Sequence, residues 1–155
     1  MPRSNPSPDA SRTADAGSAA VEVLVLGVLL LVPLVYLILT VAALQGAAFA
    51  AEGAARQVAR SIALAASDGE GRRAADAAAV VALADWHVPP AAADIEVRCT
   101  PEPADCATPR GTVDVRVRVA AALPLLPPAL GLGAPGTVPI DARSVQRVSM
   151  FAAAR

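Results

Sequence analysis

The chain has 155 residues, of which 55% are hydrophobic and only 3% aromatic, and its formal net charge is −1. That length suits one small domain plus an appendage, and so high an apolar fraction drawn from alanine and valine is unusual for a soluble globule. All thirteen basic residues are arginine, but they form no dense stripe that could release phosphate counterions, which argues against a nucleic-acid partner.

Residues 1–16, MPRSNPSPDASRTADA, are rich in Pro, Ser, Asp and Ala without apolar periodicity and read as a disordered polar leader. From Val23 to Leu44 the only residues that are not plainly apolar are Gly27, Pro33, Tyr36 and Thr40, and none is charged. At about 1.5 Å per residue these 22 residues span roughly 33 Å, enough to cross a bilayer. A soluble core helix is the poorer reading, because a chain with so few large side chains lacks the material to bury such a run on every side. Pro33 removes one backbone donor and is expected to bend the span without ending it.

Two processing routes are open. In one, the segment is a secretory signal peptide cut after AFA, Ala48 to Ala50, which releases a soluble chain beginning at Ala51. Signal-peptide cores are about 7 to 15 residues long, so an apolar run of this length favours retention in the membrane. The other route begins at Gly17-Ser18-Ala19-Ala20-Val21-Glu22, where a glycine is followed five residues later by an acid at the threshold of the apolar helix. A charged acid costs about 2.5 to 3.5 kcal/mol at the centre of a membrane helix and less near its ends. In the first helical turn the macrodipole returns about 0.3 to 1 kcal/mol. The plainer reading is that Glu22 only marks the water-facing edge of the span.

The apolar segment continues into QGAAFAAEGAARQVARSIALAAS, which extends the helix to a turn at Ser67-Asp68-Gly69-Glu70-Gly71. Glu52, Arg56 and Arg60 recur every four residues as a polar stripe, opposite a face of alanines with Val58, Ile62 and Leu64. A second amphipathic helix is expected from Arg72 to about Trp86, with Ala75, Ala79, Val80 and Leu83 toward a core, and Pro89-Pro90 ends it. Beyond the prolines the period changes to two. DIEVRC places Ile95, Val97 and Cys99 inward, and TVDVRVRV places Val113, Val115, Val117 and Val119 inward. TVPIDARSVQRV begins as a third strand with Val138, Ile140 and Ala142, then loses phase at Val145 and Val148. The intervening ALPLLPPALGLGAPG has four prolines, which forbid a central strand and leave a long apolar loop or edge segment suited to a partner. The predicted class is α+β: a long N-terminal helix, a second helix and a small antiparallel sheet of about three strands.

Cys99 and Cys106 flank a proline-rich loop. A disulfide closing this eight-residue ring would contribute about 2.5 kcal/mol, and it is the favoured state over two free buried thiols. It implies an oxidising compartment, placing residues 45–155 outside the cytoplasm. With one histidine, His87, and no further cysteine, a zinc site cannot be assembled from soft ligands. Arg3 and Arg12 before the span balance Arg56 and Arg60 after it, so charge does not orient it. His87 sits before two prolines as a helix-end or surface residue, and Asp68, Glu70, Asp76 and Asp85 read as turn and helix-surface acids. No glycine-rich phosphate loop or hydrolase elbow is present, and no catalytic, cofactor or metal site is expected.

Gly17 and Glu22, with the polar leader before them and the apolar run after them, resemble the type IV prepilin signature. The AAVEVLVLGVLLLVPLV start, the alanine-rich AAEGAARQVARSIA continuation and the VDVRVRV and LPLLP segments together resemble the TadE-like minor pseudopilins of bacterial tight-adherence pilus systems, particularly short actinobacterial members. The resemblance implies a cut between Gly17 and Ser18 by a prepilin peptidase on the cytoplasmic side. It also implies that Glu22 packs against the N-terminal amine of a neighbouring subunit. The implied division is a cleaved leader over 1–17, a transmembrane helix over 18–44 and an extracytoplasmic α+β domain over 45–155. The implied role is assembly or initiation of an adhesive pilus, with other pilins, a secretion platform and an ATPase as partners. The chain departs from the commonest pattern in having Val23, not an aromatic, beside the acid. A permanently anchored or secreted extracytoplasmic binding module is the alternative.

Overall fold

The computed structural model describes residues 10–124 and 136–151, with side chains from Ala20 onward. The chain divides into two compact units, Met1–Leu39 and Thr40–Arg155. Helix α1 covers Ala10–Leu64 and α2 covers Asp68–Ala84; strands β1 (Ala93–Thr100), β2 (Thr112–Ala122) and β3 (Thr137–Arg147) follow. The fold is α+β, with a long apolar N-terminal helix, a second helix and a three-stranded antiparallel sheet in the order β1-β2-β3.

The backbone is helical from Ala10, so the last part of the expected leader is not irregular. ASRTADAGSAA is alanine-rich, and alanine has the highest intrinsic helix propensity. Pro33 lies inside α1 and does not end it.

In the second unit, α1 buries Ala47, Ala50, Ala51, Ala54, Ala55, Val58, Ala59, Ile62 and Ala63. These positions recur at three and four residues and form one stripe. Glu52, Arg56 and Arg60 lie exposed outside it, with Arg56 donating to Glu52 at 3.2 Å. Leu64, expected on the apolar face, is exposed, because the stripe has already reached Ile62 and Ala63 at the last turn.

Helix α2 starts four residues earlier than the apolar period suggests. Ser67 takes an extended N-cap conformation, and its hydroxyl accepts the Glu70 amide at 3.4 Å. SDGE is thus a helix start and not a turn, with Ser at the cap, Glu three residues on and Asp68 in the first turn. Gly71 is buried there, and a Cβ on it would stand 3.2 Å from the Ala65 Cβ and 3.3 Å from the Ile62 Cα. Only hydrogen fits comfortably at this helix crossing. Ala75, Ala79 and Leu83 are buried as expected, whereas Val80 is half exposed and points outward beside Val81. With Val81 also exposed, the inward face of α2 is only one residue wide per turn.

Ladder register explains the sheet. Val113, Val115, Val117 and Val119 of central β2 are all buried. Val115 stands between Val97 and Ser144, and Val117 between Ile95 and Ala142. These side chains share one apolar cluster with the buried residues of α1 and α2. β3 keeps its alternation through Ser144: Ala142 and Ser144 face inward and Val145 outward, Gln146 at the next inward position is exposed, and Val148, just past the strand, is buried again. The apparent loss of period came from a small polar residue inside and an apolar one outside, both tolerated at the edge of a sheet. Most of the proline-rich segment, residues 125–135, lies outside the described residues; its ends are joined by the Leu123 amide donating to the Gly136 carbonyl at 2.9 Å.

Because Val115 is fully buried, Val115→Ala is expected to destabilise the domain by about 2 kcal/mol, read as about thirty-fold faster hydrogen exchange of β2 amides. Val145→Ala on the outer face should change exchange by less than about 0.5 kcal/mol. Equal effects of the two substitutions would contradict this register.

Candidate functional site

The segment that distinguishes this chain is the apolar part of α1. Every described side chain from Ala20 to Leu39 is exposed except Tyr36, which is intermediate. The large apolar side chains over that stretch range from 43% exposed at Leu39 to 70% at Val23. α1 is long and apolar enough to cross a membrane. A continuous apolar surface of this size is far beyond what a soluble monomer leaves in water, and it is consistent with a single-pass membrane anchor and with a signal sequence alike.

Gly17, Ser18 and Glu22 all fall within α1, and because the helix starts at Ala10, Glu22 lies about three turns inside it and not in its first turn as expected, so the helix-end dipole does not reach it in the uncut chain. Glu22 follows Ser18 by four residues, which puts the two positions on one helix face about 6 Å apart along the axis. The Glu22 side chain is exposed, and among the described residues no hydrogen bond or ion pair reaches it. It is a charged group placed in an apolar sleeve, with nothing in its described surroundings to neutralise it.

The second unit carries a covalent clip. Cys99 and Cys106 form a disulfide with a Cα–Cα distance of 5.2 Å, and neither is free. Both are buried. Sequence reasoning found the bridge but not what holds its loop. Asp68, in the first turn of α2, accepts the Arg72 guanidinium at 2.7 Å with one oxygen and the Cys106 amide at 3.2 Å with the other. This carboxylate therefore joins the helix start to the disulfide loop. The signal for it in the sequence was the cap Ser67-x-x-Glu70, which places Asp68 at the helix N-terminus, where negative charge is favoured.

The outer sheet face is an alternating charge lattice. Arg118 reaches both Asp94 and Asp141, at 3.6 and 3.1 Å; Arg116 also reaches Asp141 at 3.2 Å, and Arg143 forks onto Asp114. The Arg143 guanidinium holds the Asp114 carboxyl below its ordinary range, as Arg72 does for Asp68. These pairs are mostly exposed, and each adds at most a few tenths to about 1 kcal/mol.

His87 is exposed in the turn after α2 with φ of 57°, in the left-handed region. Asp76 and Asp85 are exposed on α2 and at its C-cap. Among the described residues no three His, Cys, Asp or Glu side chains stand together so as to hold a metal.

Since the native carboxyl of Asp68 titrates below its unfolded value, its contribution is fully present above about pH 4 and is lost as pH falls through the depressed native value. Asp68→Asn should cost about 1 kcal/mol near neutrality, seen as faster exchange of the Cys106 amide. The difference from the unsubstituted chain should shrink below about pH 4; a difference constant from neutral to strongly acid pH would contradict the charged clip. No protein-family model matches the chain, and no curated protein or solved structure matches it.

Proposed function

We propose that this chain is a non-enzymatic, membrane-anchored pseudopilin-like subunit, cut between Gly17 and Ser18 by a prepilin peptidase and acting in the assembly or initiation of an adhesive pilus. The observation that carries the reading is the exposed apolar run of α1 with Glu22 at its start and no described partner for that carboxylate. An exposed apolar helix can be satisfied by lipid before assembly and by other such helices afterward, with the same surface serving both states. The acid finds no counter-charge among acyl chains or apolar side chains. An α-amino group created at Ser18 is the complement that processing would supply, on the same subunit or on a neighbour displaced along the helix axis.

The same reading accounts for the break in the chain's chemistry at the cut. Gly17 lowers helix propensity by about 1 kcal/mol relative to alanine, and so marks the point in the alanine-rich start of α1 where a peptidase can most readily open the backbone. The Cys99–Cys106 bridge is in keeping with an extracytoplasmic position for residues 45–155. Peptidase, other pilins, an assembly platform and the membrane are the partners this role requires.

The mature N-terminus tests the proposal. In a host with a prepilin peptidase, intact-mass measurement should find a chain beginning at Ser18. A chain beginning at Met1 or Pro2 would identify a permanent anchor, and one beginning at Ala51 a secreted domain. Glu22→Ala should leave membrane insertion unchanged and lower incorporation into filaments at least about ten-fold, the effect of losing roughly 1.4 kcal/mol or more at each subunit contact. Unchanged incorporation would reduce Glu22 to an edge residue.

A further inference from the structure

The core of the second unit is built from alanine and valine, with Ile62, Leu83 and Val58 its largest fully buried side chains outside the β2 valines. Neither the chain's single tryptophan nor either of its two phenylalanines contributes to it, Phe151 being 69% exposed near the C-terminal end of the described residues. Trp86 is 47% exposed and Phe49 53% exposed, and their rings stack with centroids 5.3 Å apart. A domain poor in large side chains has left two of them at its surface, in contact with each other. Burial would be worth about 1.5 to 3 kcal/mol for a ring like that of Phe49, a gain that a second apolar medium around the paired rings would supply.

Position along α1 identifies that medium. The apolar run ends at Leu44, and Gln45 is exposed. Gly46 lies level with Trp86, since a Cβ there would stand 3.5 Å from the indole Cε3. At about 1.5 Å per residue, Gly46 is about 3 Å and Phe49 about 7.5 Å beyond Leu44 along the helix axis. Side chains on a helix tilt toward its N-terminus, which brings the Phe49 ring back toward Leu44. The polar layer on each side of a bilayer is about 5 to 7.5 Å thick, so both rings fall within it. Indole suits this zone, having an apolar body for the acyl boundary and an N–H for headgroup or water. The turn after α2, with His87 in the left-handed region and Pro89-Pro90 beyond, stops the helix and holds Trp86 at this level.

We propose that Trp86 and Phe49 form an interfacial aromatic anchor that seats the second unit in the headgroup layer of the bilayer crossed by α1. The inference rests on the membrane-anchor part of the reading above, not on processing or filament assembly. The occupant of the aromatic surface is lipid at the headgroup and upper acyl boundary.

Trp86 reports on itself, because no other indole contributes to the emission. The full chain would be reconstituted in phosphatidylcholine vesicles, and alkaline carbonate extraction would establish insertion. Emission would then be compared in vesicles carrying lipids brominated near the headgroup or near the terminal methyl. The expected result is a blue-shifted emission, strong loss of intensity with the shallow quencher, little loss with the deep one, and weak quenching by aqueous acrylamide. The double variant Trp86→Phe, Phe49→Trp moves the probe to the other ring and should give the same shallow pattern. An inserted chain whose emission resists both brominated lipids and is readily quenched by acrylamide would overturn the anchor while leaving the membrane reading intact. Predominant quenching by the deep lipid would overturn it too, and a chain that fails to insert would overturn both.

Discussion

Close approach between small side chains is the constraint on which the folded unit depends. With 3% aromatic residues, its core cannot be filled by a few large side chains spanning a wide gap, so the backbones must come near one another. The alanines of α1 at positions 47, 50, 51, 54, 55, 59 and 63 are at most 6% exposed. They leave a flat apolar stripe against which valines can sit, each contact small and the sum set by how little space remains. Gly71 is the extreme of this design, because a single methyl group there meets Ala65 and the Ile62 backbone at 3.2 and 3.3 Å. Ala142 and Ser144 play the same part in β3, as small inward residues beside the Val117 and Val115 of the central strand.

A core of that kind offers limited hydrophobic stabilisation per residue, and the rest of the unit compensates with local crosslinks. The disulfide shortens the loop between β1 and β2, and Asp68 fastens that loop to the start of α2. On the outer face no residue of the central strand needs burial, so Arg116, Arg118 and Asp114 alternate with the inward valines and find opposite charges on both neighbouring strands. Individually these pairs are weak, but they oppose slippage, since a one-residue shift of β2 would turn its charges into the core.

Periodicity made most of this arrangement legible before any coordinates. The alternation of Val113, Val115, Val117 and Val119 identified the central strand and its buried face, and the span from Val23 to Leu44 identified the exposed apolar helix. Where reading by hydrophobicity alone failed, a neighbour or a cap had decided the outcome. Ser67 began α2 through a hydrogen bond that apolar spacing does not register. Val80 was assigned inward because it is apolar, yet Ala79 and Leu83 already fill the available face. Ser144 disguised an alternation that runs one step further than apolar character shows, as inward positions on β3 need small volume more than apolar character. The joining of Asp68 to Cys106, 38 residues apart in sequence, has no periodic signature at all. In the candidate site, the spacing of Gly17, Ser18 and Glu22 was readable, whereas the start of α1 at Ala10, ahead of all three, carries no apolar period to announce it.

The two units solve opposite problems. Residues from Thr40 onward satisfy their polar groups internally: no buried side-chain nitrogen or oxygen among the described residues lacks a hydrogen bond, and the apolar stripe of α1 there is covered. Before Leu39 the same helix covers none of its leucines and valines. The exposed run is bounded at its N-terminal edge by Glu22, a charge that is costly at the middle of an apolar medium and less so at its border. An exposed apolar surface carries no mark of depth or register along the helix, and the one feature that breaks the uniformity of this run at its N-terminal edge is the exposed Glu22.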